Sequence, residues 1–381
     1  MHYHQVIGQE LLQQRLTELV KQNRLSHALL FLAKEGTGAL PLAMSFAQYL
    51  VCETAAQQGS NEPCGTCPAC TKATKLIHPD IHFSYPTVTK KPGEKPIATD
   101  FITEWRTFMQ LNPYGNLFDW IEMIKTKENS QGKITSEECN DINRKLSLKS
   151  FESPWKILIL WLPELMGNEG NKLLKLIEEP PADTLIMLVS ENESQLLPTI
   201  VSRCQLIKVP LLETEQIEKA LIERNNTPAS LAAQVAPLCE GNYREALQLV
   251  QHAEEDWQVL VRDWLNAIVK TGPVAQTKWV EEISRLGREK QKQFLRYFIH
   301  LLEQAVQLRI QGGQYLISEK EKDFAERLNK IASIEQQEAI VNELDQAHYQ
   351  IERNAHAKIL FHALTIRLYH IIEDKFVFSL I

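Results

Sequence analysis

Long apolar runs are missing from this chain of 381 residues: none reaches the roughly 18 residues of a membrane-spanning helix. The first residues, Met1-His2-Tyr3-His4-Gln5, lack the charged segment and apolar stretch of a secretory signal. Positive charge is not in excess either, because 41 Lys and Arg face 48 Asp and Glu. The net charge of −7 divides into −2 up to Lys208 and −5 from Val209 onward. We therefore expect a cytoplasmic protein that has no membrane partner and binds DNA weakly by itself.

What the chain does contain is typical of a globular protein. The length suggests roughly two or three domains of about 100–200 residues each. Hydrophobic residues make up 44% and charged residues 23%, which suits ordinary buried cores. Four of the seven cysteines lie between Cys52 and Cys70. In a reducing compartment such a cluster favours metal binding over disulfides.

Short apolar runs predict the buried strands of a parallel sheet, at residues 28–32, 157–161, 185–189 and 205–209. Stretches with helical spacing lie between them, such as 41–51 and 168–179. Alternating strands and helices imply an α/β domain over 1–209, with helices on both faces of the sheet.

The pattern becomes helical after Pro210, which predicts an α/β part followed by an all-α part. Residues 210–255 contain three short predicted helices, and 256–381 contain longer ones. Two polar stretches bound an insertion at about 87–133 in the first domain, for which the sequence suggests no role.

The cysteine cluster predicts a closed metal site. Cys64, Cys67 and Cys70 have CxxCxxC spacing, and Cys52 lies twelve residues earlier, at the end of a predicted helix. Four thiolates around one ion leave no position for water, so we expect structural Zn²⁺ in a module at about 52–70. Free thiols and an iron–sulfur cluster are the alternatives. Further histidines and cysteines are interpreted as unliganded, namely His78, His82, Cys139, Cys204 and Cys239.

A loop between the first strand and its helix has the position of a phosphate-binding loop, but it lacks the chemistry. In the pattern GxxxxGK[ST], Ala33 replaces the first glycine, Ala39 the lysine and Leu40 the hydroxyl residue. No carboxylate directly follows the strand at 157–161, and Glu164 is displaced by two positions. This degenerate loop retains Gly36, Thr37 and Gly38. We predict that the domain does not hydrolyse ATP. Weak nucleotide binding through its backbone N–H groups stays open.

Five segments occur in an order that resembles a known family: residues 5–9, 25–31, the cysteine set, 173–181 (Leu-Leu-Lys-Leu-Ile-Glu-Glu-Pro-Pro) and 199–204 (Thr-Ile-Val-Ser-Arg-Cys). Together they resemble the bacterial clamp-loader AAA+ subunits of DNA polymerase III, over roughly residues 5–250. The degenerate loop is similar to that of the delta-prime type rather than to the ATP-hydrolysing gamma/tau type. The resemblance implies an AAA+ P-loop NTPase-like sheet domain, a helical lid at 210–255 and a C-terminal helical collar at 256–381.

The resemblance also implies roles for two arginines. Arg203, framed by Ser202 and Cys204, would be an arginine finger that acts in trans on a neighbour's ATP. A guanidinium suits this role because its permanent charge spreads over several phosphate oxygens. The alternative is an arginine paired with a carboxylate at the start of a strand. Arg244 matches a sensor arginine that would touch ATP, and without an ATP site we interpret it as structural.

The leading hypothesis is a non-hydrolysing subunit within the DNA polymerase III holoenzyme, a DNA-directed DNA polymerase and nucleotidyltransferase. Its implied partners are the gamma/tau and delta subunits and, through the assembly, the sliding clamp and primed DNA. One alternative is a gamma/tau-like ATPase, which would turn over ATP alone. The other is a zinc-stabilised nucleic-acid-binding protein, which would need a basic face that the charge count does not favour.

Overall fold

The computed structural model describes residues 3–89, 93, 95–125, 130–251, 257–311, 319–353 and 355–373. Parts of the two predicted polar stretches, residues 90–92, 94 and 126–129, lie outside the described residues, as does 374–381. The chain divides into two compact units, Met1–Val250 and Gln251–Ile381, and each is described by itself.

The first unit is built on a sheet of five parallel strands in the order β2-β3-β4-β1-β5. The strands are β1 (Ala28–Leu32), β2 (Ile81–Ser84), β3 (Lys156–Trp161), β4 (Thr184–Ser190) and β5 (Gln205–Lys208). Four of them match the apolar runs of the sequence. The edge strand β2 escaped prediction because polar His82 and Ser84 interrupt its apolar pattern.

Helices cover both faces of this sheet, which confirms the predicted α/β class. They are α1 (Glu10–Lys21), α2 (Ala39–Val51), α3 (Glu53–Gln58), α4 (Pro68–Thr74), α5 (Ile102–Leu111), α6 (Leu117–Ile124), α7 (Ser136–Ser147), α8 (Leu174–Glu178) and α9 (Pro198–Val201). Alternate strand residues point to opposite faces. Phe31 therefore joins the core that contains α2, and Leu30 the core that contains α7 and α8.

The helix predicted over 168–179 is shorter in the structure. Residues Pro163–Leu173 form 3₁₀ turns, and α8 begins at Leu174. Gly167 interrupts these turns with a φ of +52°, a left-handed conformation that glycine tolerates. The apolar spacing of the segment did not reveal this break.

The insertion is closed at its base and packed against the sheet domain. Thr87 and Lys133 form an isolated antiparallel bridge with N–H···O distances of 2.9 and 3.0 Å. Between them, α5 and α6 contribute Trp105 and Trp120, both fully buried. Their rings lie 5.3 Å apart, and Trp105 stacks on Tyr85 at 4.1 Å. These tryptophans are therefore core residues.

Three further helices end the first unit: α10 (Thr214–Asn225), α11 (Ala229–Val235) and α12 (Tyr243–Gln251). They enclose a hydrophobic cluster of their own, which includes Ile217, Leu221 and Ala246. Ile7 and Tyr114 of the sheet domain also join this cluster. The helices belong to the same compact unit as the sheet, and the division into three domains stays a prediction.

The described part of the second unit consists of helices and short connections, without a strand. Its helices are α13 (Trp257–Asn266), α14 (Pro273–Ser284), α15 (Arg288–Gln311), α16 (Glu319–Ile331), α17 (Ile334–Glu352) and α18 (Ala357–Ile372). Trp264 and Trp279 stack in its core with ring centroids 4.4 Å apart, and the Trp264 indole donates to Thr365 Oγ1 at 3.0 Å. Among the helices described in either unit, none has the length and apolarity to cross a membrane.

Candidate functional site

The degenerate phosphate loop connects β1 to α2, where a nucleotide-binding loop would lie. Gly38 caps α2 with a φ of +90°, and Gly36 has a φ of +72°. A Cβ at Gly36 would lie 1.8 Å from Asn242 Oδ1, so the position admits no side chain. Asn242, just before α12, therefore lies directly against the loop.

Two carboxylates neutralise Arg244 beside this loop. Its Nε and Nη2 donate to the Asp119 carboxylate at 2.5 and 2.8 Å, and its Nη1 donates to Glu35 Oε1 at 3.0 Å. Only 3% of the Arg244 side chain is exposed. Glu35 also accepts from Asn116 Nδ2 at 2.9 Å, which ties the loop to the insertion. The charge of the Arg244 guanidinium is therefore compensated by carboxylates of the same chain.

Tyr114 of the insertion narrows the space next to the loop. Its hydroxyl accepts the backbone N–H of Ile7 at 2.8 Å, and its ring would lie 2.8 Å from a Cβ at Gly38. The remaining cavity, lined in part by Gly36, Gly38, Tyr114, Trp161 and Ser190, measures about 30 Å³. Ligand pockets commonly measure roughly 300–1,000 Å³. The space left beside the loop is therefore much smaller than a typical ligand pocket.

Glu164, the displaced carboxylate, joins the ends of two strands. It accepts from Ser190 Oγ at 2.9 Å and from the backbone N–H of Glu191 at 3.0 Å. Burial raises the pKa of Glu164, although these hydrogen bonds oppose that shift. Its oxygens are engaged in linking the turn after β3 to the end of β4.

Arg203 lies in the turn between α9 and β5. Its Nε donates to Glu178 Oε1 at 2.5 Å, its Nη2 pairs with the same oxygen, and its Nη1 donates to the backbone carbonyl of Thr199 at 2.8 Å. Nη1 also lies 3.5 Å from Ser202 Oγ. Side-chain exposure is 34% for Arg203 and 45% for Glu178. The structure therefore contains the carboxylate pair that the sequence left as an alternative, with the arginine still accessible to solvent.

The four clustered cysteines converge as their spacing predicts. Their sulfur atoms all lie within 4.8 Å of one another. Cys52 caps the start of α3 and Cys67 caps the start of α4, and Cys64 and Cys70 complete the set. The structure contains no disulfide at any of the seven cysteines.

Backbone amides point at three of these sulfurs. Cys52 Sγ accepts the N–H groups of Ala55 and Cys64 at 3.3 Å each. Cys64 Sγ accepts from the Cys67 amide, and Cys67 Sγ from the Cys70 amide, both at 3.4 Å. Such N–H···S bonds stabilise thiolates, which are the form that binds metal.

The electrostatics of the cluster differ between its members. A hydrogen bond from the Thr54 hydroxyl and further bonds from backbone amides lower the pKa of Cys64 to about 5. Burial raises the pKa of Cys52 and of Cys70. A bound dication would deprotonate the latter two, since a coordinating thiol loses its proton outright. The donor set and its geometry fit a tetrahedral metal ion.

The other candidate donors lie outside this group. His78 Nδ1 accepts the Asp80 amide at 3.2 Å, and His78 Nε2 lies 3.3 Å from the Glu152 carboxylate. Burial lowers the pKa of His82 to about 4. Neither histidine, nor any of Cys139, Cys204 and Cys239, belongs to the sulfur group found among the described residues.

Comparison with known proteins identifies the family. A family profile described as "DNA polymerase III, delta subunit" matches residues 8–213, more than half of the chain. The chain belongs to this family. The matched range includes the cysteine cluster, the degenerate loop and Arg203, and it confirms the resemblance to clamp-loader subunits of the delta-prime type.

Relatives within DNA polymerase III include subunits of two types. The chain is 29% identical to "DNA polymerase III subunit delta'" of Bacillus subtilis, over 62% of this chain and 57% of that protein. Identity to the Pseudomonas aeruginosa subunit of the same name is 26%, over 64% and 62%. Identity to "DNA polymerase III subunit tau" of Bacillus subtilis is 21%, over 96% and 61%. The chain thus spans about three fifths of the length of these relatives.

Several residues of the site were not expected from the sequence. Asp119, Glu35 and Tyr114 close the loop, and Glu178 holds Arg203. Asp119 and Arg244 are 125 positions apart, and no local spacing links them. Glu178 was interpreted only as part of a helix end before Pro180. The alanine at position 39, where the loop pattern has lysine, was one sequence signal that this loop departs from a nucleotide-binding loop.

Proposed function

We propose that this chain is a non-hydrolysing subunit of a DNA polymerase III clamp-loader complex. In this role it completes the active site of a neighbouring gamma/tau-type ATPase with Arg203, and it assembles with gamma/tau and delta subunits in the cytoplasm. Through the assembly it takes part in placing a sliding clamp on primed DNA. Family membership and the delta-prime relatives support the assembly role.

The proposal that this subunit does not hydrolyse ATP depends on the ion pairs beside the degenerate loop. Arg244 is neutralised by Asp119 and Glu35, and a cavity of about 30 Å³ remains. Hydrolysis would also need a lysine at position 39 and a magnesium ligand at position 40, which are alanine and leucine. A nucleotide would have to displace internal ion pairs and would then lack catalytic partners.

The proposed finger role of Arg203 is supported by its exposure. The guanidinium has five N–H groups in one plane. Glu178 and Thr199 accept three of them, and the side chain remains 34% exposed. An arginine in this setting can meet the phosphates of a nucleotide bound to another subunit.

The isolated chain is expected to bind and hydrolyse no ATP, because its loop is closed and lacks the phosphate-binding lysine. Phosphate release and calorimetric titration with millimolar MgATP test this directly. The reconstituted complex, with its gamma/tau-type subunits, serves as the positive control. ATP turnover by the purified chain alone would instead support the gamma/tau-like ATPase.

We further propose that Cys52, Cys64, Cys67 and Cys70 hold a structural zinc ion. Elemental analysis of the purified chain should give about one zinc per molecule, the stoichiometry of a closed four-cysteine site. Cys67→Ser is expected to lose most of the metal and to lower the melting temperature, whereas Cys204→Ser retains it. Iron in place of zinc would indicate a cluster, and absence of both metals would indicate free thiols.

The remaining assignments concern domains. We propose that α10–α12 act as the lid at 210–255 and that the helices within 256–381 form the collar. The helices of these two segments belong to different hydrophobic clusters, which supports their separation from each other.

A further inference from the structure

The contact between Glu178 and Arg203 joins two of the segments that mark the family resemblance, Leu-Ile-Glu-Glu-Pro-Pro and Ser-Arg-Cys. We propose that Glu178 is a positioning residue that holds Arg203 in the orientation needed for its action in trans. The inference rests on the proposed function, and it adds a residue for which the sequence suggested only a helix end.

The hydrogen bonds hold the guanidinium at each of its three nitrogens. Nε and Nη2 of Arg203 share Glu178 Oε1, and Nη1 bonds the Thr199 carbonyl. Nη1 also lies 3.5 Å from Ser202 Oγ. Nη2 carries a second N–H beside the one that faces Glu178, and this N–H can donate to a phosphate oxygen. Glu178 thus fixes the plane of the side chain and leaves a donor for a phosphate.

Local structure explains why Glu178 can serve as a fixed support. Glu178 is the last residue of α8, and its neighbour Glu179 precedes two prolines that cannot continue the helix. Thr199 belongs to α9, whose end leads directly into Arg203. Two separate backbone elements therefore hold one guanidinium, which reduces the reorganisation needed when a phosphate arrives.

The exposure of Glu178 and Arg203 indicates that their ion pair orients the arginine more than it stabilises the fold. Both side chains are more than one-third exposed, and ion pairs in such settings contribute little to folding. We therefore expect removal of the Glu178 carboxylate to reduce turnover at the neighbouring site far more than it affects unfolding.

The experiment measures ATP turnover by the reconstituted complex, with kcat and KM determined separately. Glu178→Ala should lower kcat at the completed site about tenfold, because an arginine without this support adopts the productive orientation less often. KM should stay near the unchanged value, because the finger acts in the transition state. Glu178→Gln, whose amide oxygen can accept the same two N–H groups, should remain within about twofold of the unchanged complex. Glu179→Ala is the matched control, since this exposed neighbour has no described side-chain partner.

A double variant distinguishes positioning from a general structural role. If Glu178 acts through Arg203, then Glu178→Ala combined with Arg203→Ala should be no slower than Arg203→Ala alone. If the alanine variant fails to assemble, Glu178→Asp carries the same prediction, because it keeps the charge and shortens the reach. Thermal unfolding and size-exclusion chromatography establish that each variant is folded and assembled.

Two results would overturn the role of Glu178: unchanged kcat in an assembled Glu178→Ala complex, or additive losses in the double variant. An Arg203→Ala complex with unchanged turnover would instead overturn the proposed finger itself. The two failures are therefore distinguishable.

Discussion

Replacing Arg203 with alanine is expected to lower ATP turnover at the neighbouring site by about 10³-fold or more, the magnitude associated with arginine fingers. The guanidinium would stabilise charge that develops on the transferred phosphoryl group, and a neutral methyl group cannot. ATP sites to which this subunit contributes no arginine should turn over ATP at an unchanged rate. Single-turnover measurement on the reconstituted complex resolves the slow site from the others.

A second exposed arginine provides the control for this experiment. Arg144 is 68% exposed and pairs with the buried Asp141 of α7, which Lys145 also contacts, so Arg144→Ala removes a comparable charge and leaves Asp141 a partner. Each variant should unfold within about 1 kcal/mol of the unchanged chain, as expected when an exposed arginine leaves an ion pair. Equal losses of turnover in both variants would argue against a specific role for Arg203.

Asp119→Ala is expected to destabilise the first unit by about 3 kcal/mol, because it leaves a buried guanidinium with one of its two carboxylate partners. Arg244 donates two N–H groups to Asp119, and 3% of its side chain is exposed. The retained Glu35 contact places the loss at the lower end of the range for broken buried pairs. Chemical denaturation monitored by tryptophan fluorescence provides the measurement.

Glu122 on the same helix is the matched control, since it pairs with Lys125 three positions later at the surface. Glu122→Ala should change the free energy of unfolding by roughly 0.5 kcal/mol or less. We also expect Asp119→Ala to gain no ATP turnover, because position 39 remains alanine. A loss of stability no larger than that of the control would contradict a stabilising role for the contact between Asp119 and Arg244.

The insertion thereby acquires a physical role that the sequence did not suggest. Its Asp119 and Asn116 bond Arg244 and Glu35, and its Tyr114 covers Gly38. These contacts link the loop, the insertion and the start of α12 without a nucleotide.

Much of the fold was predictable because its signals are local. Continuous apolar runs marked β1, β3, β4 and β5, since strands buried on both faces need little polar surface. The CxxCxxC spacing anticipated the convergence of four sulfurs, because closely spaced cysteines in tight turns can reach one point. The edge strand β2 escaped because polar residues interrupt its apolar pattern, and the late start of α8 escaped because the apolar spacing of 168–179 also suits an α-helix.

By itself, then, the sequence determined the α/β and all-α classes, the cysteine set and the loss of the lysine at position 39. Each depends on residue type and on spacing within a few positions. The tertiary structure alone decided that Asp119 neutralises Arg244 and that Glu178 holds Arg203. Those partners are 125 and 25 residues apart, and many carboxylates could have served. The path of the folded chain decides which carboxylate reaches each arginine. For the buried Arg244, the cost of an unpaired charge also favours the contact.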